Sequence, residues 1–126
     1  MRSEIYVDLS KLDGNLKAIK SRLRTGVKVM AVIKDNAYGH GAVPVAKHLS
    51  SQVDWFCVAT LSEAIELREG GIEIPILVFE VPEKQDADKY LDYSITATVA
   101  DIWTFEILKA GTEYQLNFDT GMRRLG

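Results

Sequence analysis

The sequence predicts an α/β chain built around a mostly parallel sheet. Three observations predict it. Five short runs rich in β-branched and apolar residues, at 27–33, 54–59, 74–79, 94–99 and 114–118, read as strands. The stretches between them carry helical periodicity and helix-end signals. Single crossover helices joining consecutive strands make neighbouring strands parallel, and buried parallel strands are nearly continuous in hydrophobicity, as these are.

The elements follow in order. "LSKLDGNLKAIKSRL" puts Leu12, Leu16, Ile19 and Leu23 on one stripe, with Ser10 as the expected N-cap, Asp13 three residues on, and Gly14 as a weak point. "VKVMAVI" is the first strand. "GAVPVAKHL" is a short helix in which Pro44 fits only the first turn. After "DWFCVA", "TLSEAIELREGG" opens on a capping box, Thr60 with Glu63, and stops at Gly70 and Gly71. "IPILVF" is followed by "VPEKQDADKYLDY", expected to hold one polar helix ending near Tyr90 and Leu91. "SITATV" leads into "DIWTFEILKAG", with Ile102, Phe105 and Leu108 on one face and Gly111 at the end. "YQLNF" is the fifth strand.

Two architectures share this pattern, a five-stranded open sheet and the first part of a (β/α) barrel. A complete barrel takes roughly 250 residues, so a length of 126 favours the open sheet. Against that, "NFDTGMRRLG" reads as a strand end and a loop, with no helix to cover the last strand.

Hydrophobic residues make up 47% of the chain and charged residues 26%, the balance of a packed domain. The formal net charge is -3 and the pI near 5.4, with no basic stripe, so nucleic acid is not an expected partner. No apolar stretch is long enough to span a membrane. "MRSEIYVDLS" has no apolar signal core and reads as a genuine beginning. The single cysteine, Cys57, excludes an internal disulfide and suits a small buried side chain in a reduced compartment, so cytoplasm is the expected location.

"VMAVIKDNAYGHGA" poses the chemical question. Both architectures place binding sites at the carboxyl ends of their strands, and Lys34 ends the first long strand. An amine held partly out of water can attack a carbonyl, and pyridoxal phosphate is an aldehyde that uses one. The plainer alternative is a lysine that ends a strand and reaches solvent. Tyr38 offers a rigid hydroxyl nearby, and Gly39 and Gly41 let backbone pass close to a ligand or simply turn the chain. His40 either orients a neighbour or is an ordinary loop histidine. A second cluster, Asn117, Asp119, Thr120, Arg123 and Arg124, follows the fifth strand. An arginine there can fork onto a carboxylate. Asp119 either pairs with an arginine or caps the loop.

"AVIKDNAYGHG" resembles the pyridoxal-phosphate motif of the alanine racemase family, and "NFDTGMRRLG" resembles a second motif of that family at the expected separation. "YVDLSKLDGNLKAIK" and "SEAIELREGGIEIPILVF" are similar as well, so the likeness covers the whole chain in order. The resemblance implies a partial (β/α)8 TIM-type barrel of about five parallel strands. Residues 1–126 would be the N-terminal portion of the cofactor-binding domain, with the remaining barrel strands and a C-terminal β domain lying outside them. It implies interconversion of L- and D-alanine with pyridoxal 5'-phosphate, in a homodimer that supplies D-alanine for the bacterial wall.

By the same resemblance, Lys34 would hold the cofactor covalently and act as base on the D-alanine face. Tyr38 would lie by the cofactor phosphate, Arg124 would steady the phenolic oxygen of the ring, and Phe79 would line the pocket. Asp35 departs from the small alanine usual in the motif. Asn117 stands where many members carry a carbamylated lysine and some an asparagine with a bound anion. The opposite-face tyrosine, the arginine at the pyridine nitrogen and most phosphate ligands would come from segments not among these residues. The 126 residues alone are therefore expected to show little or no racemase activity. They are also expected either to be marginally stable or to pair with a complementary chain or a copy of themselves, because five strands of a barrel leave two edges. Racemisation of another amino acid such as serine, a non-catalytic cofactor-binding barrel and an unrelated open-sheet binding module are the alternative readings.

Overall fold

The computed structural model describes residues 3–126. Five parallel strands appear, β1 (Met30–Val32), β2 (Trp55–Val58), β3 (Ile76–Val78), β4 (Ala97–Val99) and β5 (Tyr114–Leu116). β1, β2 and β3 pair in that order, with Met30 opposite Trp55 and Phe56 opposite Ile76. β4 pairs with β5. A parallel bridge between Leu77 and Thr96 joins the two groups, supported by Thr96 N donating to Ile76 O and Val78 N donating to Thr96 O. Spatial order therefore equals chain order. An open flavodoxin-like sheet would instead reverse direction around its first strand. Sequential parallel strands are the arrangement of a (β/α) barrel, and among the described residues the arc does not close. The architecture that length disfavoured is the one present.

The helices occupy one face. They are α1 (Leu9–Lys20), α3 (Ala42–Leu49), α4 (Leu61–Glu69), α5 (Ala87–Asp92, after a 3-10 turn at Lys84–Asp86) and α6 (Ile102–Ile107); α2 (Lys34–Tyr38) is a left-handed turn described below. Strand residues split by parity. Phe56, Val58, Ile76, Val78, Ile95 and Ala97 join Ala46, Leu49, Ala64, Leu67 and Tyr90 in one buried cluster against the helices. The alternate residues Met30, Leu77, Thr98 and Gln115 face the other way, onto a groove.

The local helix signals hold, with corrections. Thr60 Oγ1 accepts from Glu63 N while Glu63 accepts from Thr60 N, the capping box expected at α4. Pro44 sits in the first turn of α3. The cap of α1 is Asp8 rather than Ser10: Asp8 Oδ1 accepts from Ser10 N and from its hydroxyl, so the helix begins two residues earlier. That helix ends at Lys20, short of Leu23. α6 stops at Ile107 instead of Gly111, and its Ile102 and Phe105 are exposed rather than buried. The helix expected to be polar, α5, anchors the core through Tyr90. No helix among the described residues is long and apolar enough to cross a membrane.

Candidate functional site

The carboxyl ends of the strands open onto a groove of about 900 Å³, within the roughly 300–1,000 Å³ of small-molecule clefts. Lys34 enters it from the end of β1, Phe79 from β3, and Asn117, Asp119 and Arg124 from the loop after β5. Ninety residues of chain separate Lys34 from Arg124, so only the fold brings the two cations to one cavity. Tyr38 and His40 are elsewhere. Tyr38 is 59% exposed on the outer side of the turn, and His40 Nδ1 lies 2.9 Å from Ala37 O, bracing that turn.

The backbone after Lys34 is unusual. Asp35, Asn36, Ala37 and Tyr38 have φ of 52°, 52°, 53° and 55°, a full left-handed turn of residues that all carry a Cβ. Each such residue costs ~1–2 kcal/mol, and asparagine tolerates the region better than the others. The turn persists because it is tied down. Asn36 Oδ1 accepts from Ala42 N at 2.8 Å and Asn36 O accepts from Gly41 N at 2.9 Å, which also seats the start of α3. Gly39, at φ 88°, closes the turn where a side chain would add strain. At the front, Asp35 N donates to Glu63 Oε1 at 2.6 Å.

The second loop is held as firmly. Asp119 Oδ1 accepts from Gly121 N at 2.8 Å and Arg123 N at 2.9 Å; these amides, Arg123 first, hold its carboxyl below the ordinary aspartate value. Asp119 therefore caps the loop, and it makes no ion pair with Arg123 or Arg124. Asn117 Nδ2 donates to Leu125 O at 2.7 Å, drawing the chain back over the groove. Gly126 fits that return because a Cβ there would lie 2.6 Å from Asp119 N.

Sequence reasoning missed several contributors. Glu63 reaches beyond its helix cap to the Lys34 turn. Glu80 Oε1 accepts from Leu61 N at 2.7 Å and fastens the end of β3 to α4. Met122 and Leu125 add apolar wall to the groove. Only Glu63 left a trace in the sequence, as half of the capping box. Among the described residues neither Lys34 nor Arg124 has an ion-pair partner, and the nearby acids are committed to backbone amides. No cluster of His, Cys, Asp and Glu suited to a metal occurs among them.

Residues 7–126 match the model of the alanine racemase N-terminal domain. This chain belongs to the alanine racemase family. The alanine racemase of Streptococcus gordonii is 39% identical over 98% of this chain and 35% of that protein. The crystal structure of the alanine racemase from E. faecalis superposes with a TM-score of 0.87 at 36% identity, over 95% of this chain and 35% of that one. A histidine racemase from Leuconostoc mesenteroides gives a TM-score of 0.80 at 28% identity, over 94% of this chain and 34% of that one. The chain thus spans about a third of the length of the alanine racemases it matches. The family has the barrel architecture that the sequential strand order indicates, and the arc seen here is part of it.

Proposed function

We propose that this chain is the lysine-bearing part of a pyridoxal 5'-phosphate-dependent racemase that interconverts L- and D-alanine. The observation that carries the reading is the meeting of Lys34 and Arg124, neither ion-paired, in one groove at the strand ends of an alanine racemase-family chain. The groove fits the group: it has the size for a ring, an amine for the aldehyde, a guanidinium for the phenolic oxygen and apolar walls from Phe79, Met122 and Leu125. When bound, the cofactor supplies a conjugated sink for the charge left when an amino acid loses its α-proton.

The side chains divide the remaining work. Lys34 Nζ would hold the cofactor through its aldehyde carbon and would carry the α-proton on one face. Arg124 would orient the ring through its phenolic oxygen, and Asn117 and Asp119 keep the Arg124 loop folded over the groove. Phe79 keeps water from the ring. Tyr38, exposed outside the groove, would serve the phosphate end only by the family resemblance, and His40 braces the turn that presents Lys34. The reading assigns the opposite-face donor, the pyridine-nitrogen contact and the other phosphate ligands to segments outside these residues, in a cytoplasmic homodimer.

The test is covalent. Pyridoxal 5'-phosphate added to the protein gives a yellow absorbance, and borohydride followed by peptide mass mapping places the label on Lys34. The Lys34→Ala variant loses both. Label scattered over surface lysines, with Lys34 unmodified, would overturn the assignment. Substrate is a separate matter. The structural likeness to a histidine racemase makes a larger side chain the competing reading, and rates of proton exchange with L-alanine, L-serine and L-histidine in the full-length protein decide it.

A further inference from the structure

Glu63 belongs to two structures at once. Its Oε2 accepts from Ala59 N at 2.7 Å and Thr60 N at 3.1 Å, which ends β2 and starts α4. Its Oε1 turns the other way and accepts from Asp35 N at 2.6 Å. That amide is the one by which the chain leaves Lys34. On the other side of Lys34, Ile33 N donates to Cys57 O at 2.9 Å. Lys34 is therefore bracketed by two hydrogen bonds to the neighbouring βα unit. The four residues that follow are held in left-handed backbone, a conformation that persists only while its surroundings enforce it.

The geometry points to Glu63 as a positioning residue: its carboxylate fixes the Lys34–Asp35 peptide and so aims the Lys34 amine into the groove. This rests on the reading of Lys34 as the cofactor-bearing lysine. Glu63 touches no reacting atom; it acts through the backbone of the residue beside one. A carboxylate is required because three amides converge on two oxygens. Glutamine offers one carbonyl oxygen and one NH2, so it satisfies either the Ala59–Thr60 pair or Asp35, never all three. Keeping the oxygen on the pair sets donor against donor at Asp35.

Thr60→Ala is the control. It weakens the same helix cap through Glu63 N without touching Asp35. The protein and its Glu63→Gln and Thr60→Ala variants are compared by three measurements: Tm, exchange of the Asp35 amide by NMR, and the rate of borohydride-trapped labelling of Lys34 by pyridoxal phosphate. In Glu63→Gln, Asp35 exchange rises and Lys34 labelling falls, each by about tenfold or more, while Tm drops no further than in Thr60→Ala. Thr60→Ala lowers Tm and leaves the other two unchanged. If both variants alter labelling and Asp35 exchange alike, or Glu63→Gln alters neither, the assignment is overturned. Should Glu63→Gln not fold, Glu63→Asp, which keeps the charge and shortens the reach, is held to the same outcomes. If the unmutated protein takes no label on Lys34, the cofactor reading fails, and the Asp35 exchange comparison still decides whether Glu63 holds the turn.

Discussion

Cys57 sits in the middle of β2 with no exposed surface and its sulfur against the Met30 thioether, on the strand parity that faces the groove. Burial raises its thiol pKa to about 12, so the reactive thiolate is scarce near neutral pH. With no exposed surface, Cys57 marks closely packed strands beneath the groove. A small thiol reagent at about pH 8 should leave Cys57 unmodified in the native protein and label it fully in denaturant. Rapid native labelling would mean that β1 and β2 part readily and that the floor beneath Lys34 is loose. The same residue shows what single positions disclose. That Cys57 is buried and reduced was readable from "DWFCVAT". That Tyr38 faces outward was not, because its direction follows from a left-handed turn that no residue-level preference announces.

Among the α-helices of the described residues, α1 alone has no fully buried residue, so its docking leans on polar contacts. Leu9, Leu12 and Leu16 only lean on the core. Asp13 Oδ1 accepts from Gln52 Nε2 at 2.8 Å and lies 2.9 Å from His48 Nε2, while Lys20 Nζ donates to Gln52 O at 2.7 Å. The Gln52 bond first, then His48, holds the Asp13 carboxyl below its ordinary value of 3.8. A depressed folded pKa means the unfolded chain binds the proton more readily. The stabilisation is therefore present above the unfolded value and is lost as pH falls through the folded one. The Asp8 cap shifts the same way, by its bond to the Ser10 hydroxyl. Amide protection in α1 should thus drop between about pH 5 and about pH 3, ahead of the strands. In Asp13→Asn only the share carried by Asp8 should remain; an equal drop in both proteins would refute the docking role of Asp13. Helix limits were legible where the signal is local, as with Thr60, Glu63 and the pair Gly70–Gly71. Docking partners were not: Asp13 meets Gln52 from 39 residues away, and Glu63 meets Asp35 from 28.

At the scale of the whole molecule, strand period could not separate an open sheet from a barrel, because both use the same βα unit. Spatial order separates them, and order is set by long-range pairing that local patterning does not encode. One trace did exist. Thr96, Thr98 and Gln115 put polar groups at alternate positions of β4 and β5 and just before β4, as suits the inner wall of a barrel with a site at its mouth better than a sheet packed dry on both faces. The arc has consequences for the chain by itself. Among the described residues β1 pairs only with β2 and β5 only with β4, leaving two sheet edges. Leu116 in β5 and Phe118 just after it are exposed, and on α6, the helix leading into β5, Ile102 is exposed and Trp103 is 73% exposed. Unpaired backbone next to apolar side chains favours association. The isolated 126-residue chain should therefore elute at an apparent mass that rises with concentration, and the emission of Trp103 should shift to the blue in step as its ring leaves water. Trp55, half-buried in β2, should contribute an unchanging background, so a Trp103→Phe variant should associate without the spectral change. A chain that stays monomeric, with emission independent of concentration, would show that the β5 edge is protected by its own loop, the segment from Asn117 to Gly126 that folds back over the groove.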